Sequence, residues 1–91
     1  MTKWVLFMYR LALLNIGFEN YVVGHHICGI ISPDSAPMKR YIRLLKEQHV
    51  VINATGGRKV KSVVVMANKT IYLSAIGTTA LRSRIEGLVN D

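Results

Sequence analysis

The cations best placed to bind an anion lie in one loop of the chain. Arg58, Lys59 and Lys61 follow the pair Gly56-Gly57 and precede an apolar stretch. Two glycines allow positive φ and hence a tight turn, and cations that leave such a turn can donate hydrogen bonds to phosphate oxygens or guanine edges. We interpret this loop as a candidate nucleic-acid contact. Arg58 is its leading residue, because a planar guanidinium can bind phosphate or guanine with two parallel hydrogen bonds.

A second group of cations lies on a segment with helical periodicity. Its apolar residues stand at i, i+3, i+4 and i+7, the spacing of one helix face: Met38, Tyr41, Ile42 and Leu45. Other positions of the segment carry four cations: Lys39, Arg40, Arg43 and Lys46. We expect Lys39, Arg40 and Arg43 either to be secondary nucleic-acid contacts or to serve packing and subunit contacts. A basic amphipathic helix also fits an anionic membrane surface, but a lone helix needs its apolar stripe to cover a sheet.

The composition favours a polyanionic partner. Twelve Lys and Arg against five Asp and Glu give a net charge of +7, while 51% of the 91 residues are hydrophobic. A chain of this length forms one small domain and is too apolar for a disordered tail. Apolar faces buried between identical subunits, with basic faces outside, reconcile the two properties. We expect a homo-oligomer that binds nucleic acid. The alternative is a peripheral module on anionic membranes, or a scaffold that binds no nucleic acid.

The sequence offers little for catalysis. Its acids are scattered, and Cys28, the single cysteine, excludes an internal disulfide and a Cys-rich zinc site. We therefore predict a protein without enzymatic activity, metal, cofactor or small-molecule substrate, and place it in the reducing cytoplasm. A metal-dependent hydrolase built on His25, His26 and His49 is a further alternative, although adjacent histidines on a strand would point to opposite faces. The apolar run Trp4–Leu14 is too short to span a membrane, which takes about 20 residues.

The periodicity of the remaining segments predicts an α+β domain: a small, mostly antiparallel β-sheet with one main helix and a short C-terminal helix. The main helix should run over 36–48 with Ser35 as its N-cap, and the short one over 80–86, capped by Thr78 or Thr79. Because Val60–Ala67 is apolar at both alternate positions, it is either a central strand or a strand with one face against another subunit. Strands are expected at six places: Leu11–Ile16, Tyr21–Val23, Ile27–Ile31, Val50–Ile52, Val60–Ala67 and Thr70–Ala75.

Five segments form a pattern that extends over most of the chain. They are LNIGFEN at 14–20, ISPDSAPMKR at 31–40, INATGGRK at 52–59, SVVVM at 62–66 and LSA at 73–75. In order and spacing this pattern, which covers roughly 13–85, resembles the RemA-type extracellular matrix regulatory proteins of bacteria.

The resemblance implies a DNA-binding transcriptional regulator of biofilm matrix genes. Proteins of this type form closed heptameric or octameric rings with basic residues around the outside, so that DNA bends along the rim. Their paired arginines after the loop fall on Arg58 and Lys59, and a further basic residue falls on Lys61. Their basic position in the second turn falls on His26, which would make that contact pH-dependent. Gly56 stands where the resemblance predicts a tyrosine.

We expect two regions along the chain. Residues 13–91 correspond to the RemA-like DNA-binding domain. Residues 1–12 lie outside the resemblance and are interpreted as an N-terminal extension, either an edge strand or a subunit contact. A true start at Met8 is the remaining alternative.

Overall fold

The computed structural model describes residues 13–90, with side chains as far as Gly87. The extension predicted for 1–12, and the first part of the strand predicted at Leu11–Ile16, lie outside the described residues.

Strands come in runs along the chain and are separated by single helices, as in an α+β fold. Two short strands come first, followed by one turn of 3-10 helix, a longer strand, a helix, three strands and a final helix. Their bounds are β1 (Leu14–Asn15), β2 (Tyr21–Val22), the 3-10 turn (Gly24–His26), β3 (Ile27–Ile31), α1 (Ala36–Glu47), β4 (Val51–Asn53), β5 (Ser62–Met66), β6 (Ile71–Ser74) and α2 (Thr78–Asn90). The α+β prediction is confirmed.

The strands form two separate sheets. β1 and β2 pair as an antiparallel hairpin, and the other four strands form a sheet in the order β3-β5-β6-β4. β5 pairs antiparallel with both neighbours, whereas β4 runs parallel to β6. The mostly antiparallel arrangement is confirmed, and β5 is a central strand as its apolar pattern predicts. Val63 and Val64 are both buried because the two faces of β5 are both covered.

Each face of the four-stranded sheet carries its own hydrophobic core. On one face, Ile42 and Leu45 of α1 pack with Val63 of β5, together with Ile71 and Leu73 of β6. The opposite face is covered by the β1–β2 hairpin and by α2, and its core has seven buried members: Leu14, Ile16, Val22, Ala54, Val64, Met66 and Leu81. The sheet is therefore the middle layer of three.

The main helix agrees with its prediction, apart from one residue of its apolar face. The Ser35 hydroxyl accepts a hydrogen bond from the Met38 N–H at 3.2 Å, as an N-cap should. Ile42 and Leu45 are buried and Met38 is half-buried, but Tyr41 is 50% exposed. The stripe that faces this narrow sheet is thus formed by 38, 42 and 45, and Tyr41 lies at its margin.

The C-terminal helix differs from its prediction. It begins at Thr78 and runs for 13 residues, so Thr78 and Thr79 are helical residues and neither is the cap. The carbonyl of Gly77 accepts the first helical hydrogen bond, from the Leu81 N–H at 3.1 Å. Four of the six strands are shorter than predicted, because periodicity does not show where cross-strand pairing ends, while β3 has its predicted bounds and β4 is shifted by one residue. No helix among the described residues has the length and apolarity needed to cross a membrane.

Two buried serines join the layers around the sheet. The Ser74 hydroxyl donates to the Ile16 carbonyl at 2.7 Å and accepts from the Ile76 N–H at 3.0 Å. The Ser62 hydroxyl donates to the Ile76 carbonyl at 2.7 Å. These bonds hold the β1–β2 hairpin and the start of α2 against the end of the sheet where β5 begins.

Replacing Ser74 by alanine should destabilise the protein, since it leaves the Ile16 carbonyl without its buried donor. We expect a loss of about 1–3 kcal/mol in the free energy of unfolding, measured by urea denaturation. Ser83→Ala, on the exposed side of α2, is the matched control and should change stability by less than about 0.5 kcal/mol. Equal effects of the two substitutions would contradict the assignment.

Candidate nucleic-acid interface

The loop that carries the main cations is a defined turn. Its start is fixed by the Asn53 side chain, whose oxygen accepts from the Thr55 N–H at 3.0 Å and from the Thr55 hydroxyl at 2.6 Å. The Arg58 N–H then donates to the Thr55 carbonyl at 3.1 Å. Gly56 and Gly57 adopt φ of 61° and 84°, the conformation that side chains disfavour. The sequence prediction of a glycine turn is confirmed.

Arg58 lies on the hairpin side of the sheet. Its guanidinium carbon is 5.5 Å from the centre of the Phe18 ring, which belongs to the turn between β1 and β2. The same ring covers Gly56, where the Cβ of any other residue would come within 2.9 Å of two ring atoms. No feature of the sequence indicated this contact, because Phe18 and Arg58 meet only through the packing of the hairpin on the sheet.

Lys59 lies on the opposite side, against α1. A concavity of about 300 Å³ opens there between the helix and the segment that precedes β5. Lys39 and Lys46 line it together with Lys59, and one acid, Asp34, is also in its wall. Its apolar part is formed by Ile42, Val60, Leu73 and Pro33. The structure thus brings the predicted residues Lys39 and Lys59 together. It adds Lys46, which stands seven residues after Lys39 and so shares its helix face.

The remaining predicted cations of this region occupy different positions. Lys61 is exposed immediately before β5, and its N–H donates to the Ser74 carbonyl at 2.8 Å. It therefore shares the end of the sheet with Arg58 and Lys59. Arg40 and Arg43 are exposed on α1 but do not line the concavity with Lys59.

His26 lies at the other end of β5. Its carbonyl accepts from the Ala67 N–H at 2.7 Å, and Ile27 beside it pairs with Met66, the last residue of β5. β5 has five residues, which at about 3.3 Å per residue separates its two ends by roughly 15 Å. Within one subunit, His26 is thus remote from the loop cations.

The two adjacent histidines are not on a strand. They belong to the 3-10 turn, with their ring centres 4.9 Å apart in an edge-to-face arrangement. Strand geometry begins only at Ile27, so the opposite orientation that a strand would impose on adjacent side chains does not apply to this pair. Across the described residues, no group of three or more His, Cys, Asp or Glu is close enough to hold a metal ion.

Within the part of the chain whose side chains are described, no ion pair neutralises the positive charge at the loop end of the sheet. Among the residues whose side chains are described, the salt bridge found joins Arg82 to Glu86 on α2 at 2.7 Å. We call the set Lys39, Lys46, Arg58, Lys59 and Lys61 the loop-end patch. Its five cations are all exposed. The patch can therefore donate several charge-assisted hydrogen bonds to an extended anion.

Comparison with known proteins places the chain in a family. Residues 13–85 match the family model of RemA-like proteins, described as extracellular matrix regulatory protein A-like. The chain belongs to this family. The resemblance stated from the sequence segments is confirmed over the same range.

Relatives in this family are similar along nearly their whole length. A protein of Dictyoglomus turgidum is 48% identical over 75 residues, which cover 82% of this chain and 88% of that protein. A protein of Desulfosudis oleivorans is 43% identical over 81 residues, with 89% and 84% covered. Both carry the name "Putative regulatory protein". The relatives of this RemA-like chain are thus proteins that are named as regulators.

Alanine at either loop glycine should lower stability, because both have positive φ. The backbone cost is about 1–2 kcal/mol for each substitution. Gly56→Ala should cost more than Gly57→Ala, since only the Cβ at 56 meets the Phe18 ring, whereas nothing lies within 4 Å of a Cβ at 57. Urea denaturation of both variants measures the difference. A larger loss for Gly57→Ala would contradict the packing of Phe18 on the loop.

Proposed function

We propose that this protein is a non-catalytic transcriptional regulator that binds and bends double-stranded DNA through the loop-end patch. The observation that supports this most directly is the convergence of Lys39, Lys46 and Lys59 on one concavity, with Arg58 and Lys61 at the same end of the sheet. These cations come from two separate stretches of sequence, so their meeting is a property of the fold. The family description supports the regulation of extracellular matrix as the role of this binding. We propose the cytoplasm as its location, because a protein that binds chromosomal DNA must work beside it.

Phosphate contacts supply the affinity in this mechanism. Each cation that neutralises a phosphate releases condensed counterions, which favours binding and makes it salt-dependent. Arg58 can bind one phosphate, or a guanine edge, with two hydrogen bonds, while the lysines act as point charges. Contacts of this kind position DNA and carry little sequence information by themselves.

The protein is proposed to form a heptameric or octameric ring of identical subunits, which repeats the loop-end patch once per subunit. β3 and β4 are the two edge strands of the four-stranded sheet, and both carry exposed apolar residues: Ile31 is 39% exposed and Ile52 is 45% exposed. Within residues 13–90 these are two different edges of one sheet, which supports head-to-tail association, the type of contact that closes into rings. Repeated weak sites at fixed spacing then bind one DNA molecule together.

In a ring, His26 could also contact DNA. In one subunit this residue is at the far end of β5, so it cannot reach the phosphates that the loop-end patch contacts. In a closed assembly, His26 of one copy and the loop of another can lie along the same DNA. Arg40 and Arg43 of α1 are proposed as outer contacts or subunit contacts on the same grounds.

An anionic membrane or a scaffold partner has less support. The apolar stripe of α1 is used to cover the sheet, with Ile42 and Leu45 buried, so the helix cannot offer that stripe to lipid. Of its apolar residues, Tyr41 and Leu44 stay about half exposed. Co-sedimentation with anionic vesicles, run beside a DNA-shift assay, separates the two candidates.

Binding to duplex DNA should weaken steeply as salt rises from about 50 to 200 mM, because several phosphate contacts release counterions. Arg58→Ala should lower the affinity and reduce the slope of log K against log salt by about 1 per site. Fluorescence anisotropy with a labelled duplex measures both quantities.

Arg82→Ala is the matched control for this experiment. Arg82 is equally an exposed arginine, but it lies on α2 and is paired with Glu86. It should leave the affinity and the salt slope unchanged. A flat salt response of the natural protein, or equal effects of the two arginine variants, would contradict the proposal.

A further inference from the structure

The turn between β1 and β2 presents an aromatic ring to solvent at a conformational cost. Phe18 is 52% exposed, and it lies in a run of three residues with positive φ: Gly17 at 112°, Phe18 at 52° and Glu19 at 61°. Positive φ is unfavourable for residues with a side chain and persists where the surroundings impose it.

Two asparagines impose this conformation on the turn. The Asn15 side-chain oxygen accepts from the Gly17 N–H at 2.8 Å. The Asn20 side chain donates to the carbonyls of Gly17 at 2.9 Å and of Phe18 at 3.2 Å. A network that holds an apolar ring outside both hydrophobic cores points to a role other than core packing.

The ring is in contact with the loop that carries the cations. It lies over Gly56, whose missing Cβ leaves room for it, and the Arg58 guanidinium carbon is 5.5 Å from its centre. A guanidinium at this distance is attracted by the negative face of the ring, while its N–H groups remain available in the plane of the guanidinium. Two segments far apart in sequence thus form a stacked pair at the surface.

Stacking restricts the rotamers of Arg58 before any ligand arrives. Ordering a long side chain opposes binding, so a side chain ordered in advance binds more tightly. Among the aromatic residues that the structure describes, none has Lys59 or Lys61 over its ring, whereas Phe18 supports Arg58 in this way.

We propose that Phe18 is a positioning residue for Arg58, which it holds ready for a phosphate of DNA. The inference rests on the proposed DNA binding and deepens it. Phe18 acts through the arginine, so its contribution to affinity exists only when the arginine is present.

A double-mutant cycle tests this dependence. Phe18→Leu keeps an apolar side chain on Gly56 but removes the aromatic face. It should weaken DNA binding about two- to tenfold per site in the natural background, and by less than about twofold when Arg58→Ala is already present. Phe18→Tyr keeps the ring face and should bind as the natural protein does. Urea denaturation and native mass of each variant identify any loss that comes from unfolding or disassembly.

A second measurement needs no DNA. The ring current of Phe18 should shift the NMR signals of the Arg58 side chain, and the shift should disappear in Phe18→Leu and persist in Phe18→Tyr. Equal affinity losses in the two backgrounds of the cycle, or no ring-current shift, overturn the inference. Absence of salt-dependent DNA binding by the natural protein, with the shift intact, overturns the proposed function instead and removes the DNA role of the pair.

Discussion

The proposed function depends on the concentration of exposed cations at one end of the sheet. Lys39 and Lys59 line the same concavity with a single acid beside them, and they approach each other from a helix and a loop that the core holds in place. Unpaired like charges destabilise a fold, and an anion that binds across them relieves that cost. This arrangement of exposed like charges therefore favours a polyanion.

Side-chain hydrogen bonds fix the backbone close to the loop-end patch. Asn53 fixes the turn before the cations, and Ser62 and Ser74 fasten the layers where β5 begins. On the hairpin side, the ring of Phe18 covers Gly56, the position at which the family resemblance predicts a tyrosine. An aromatic group is thus present at the loop, supplied by a different segment of the chain, and Arg58 stacks on it.

The parts of this protein that the sequence predicts are those set by local periodicity and turn chemistry. The bounds of α1, its Ser35 cap, the central place of β5 and the glycine turn before Arg58 all follow from residues close together in the chain. The contact of Phe18 with Arg58 does not, because it depends on which face of the sheet the hairpin covers. The separation of His26 from the loop depends on register and on a 3-10 turn, neither of which leaves a periodic signal.

Native mass in solution, measured with and without duplex DNA, tests the central claim most directly. The account predicts a discrete multiple of the 10.2 kDa chain at micromolar concentration, and a heavier complex when DNA is added at low salt. A stable single chain under those conditions, or an oligomer whose mass DNA does not change, would contradict it.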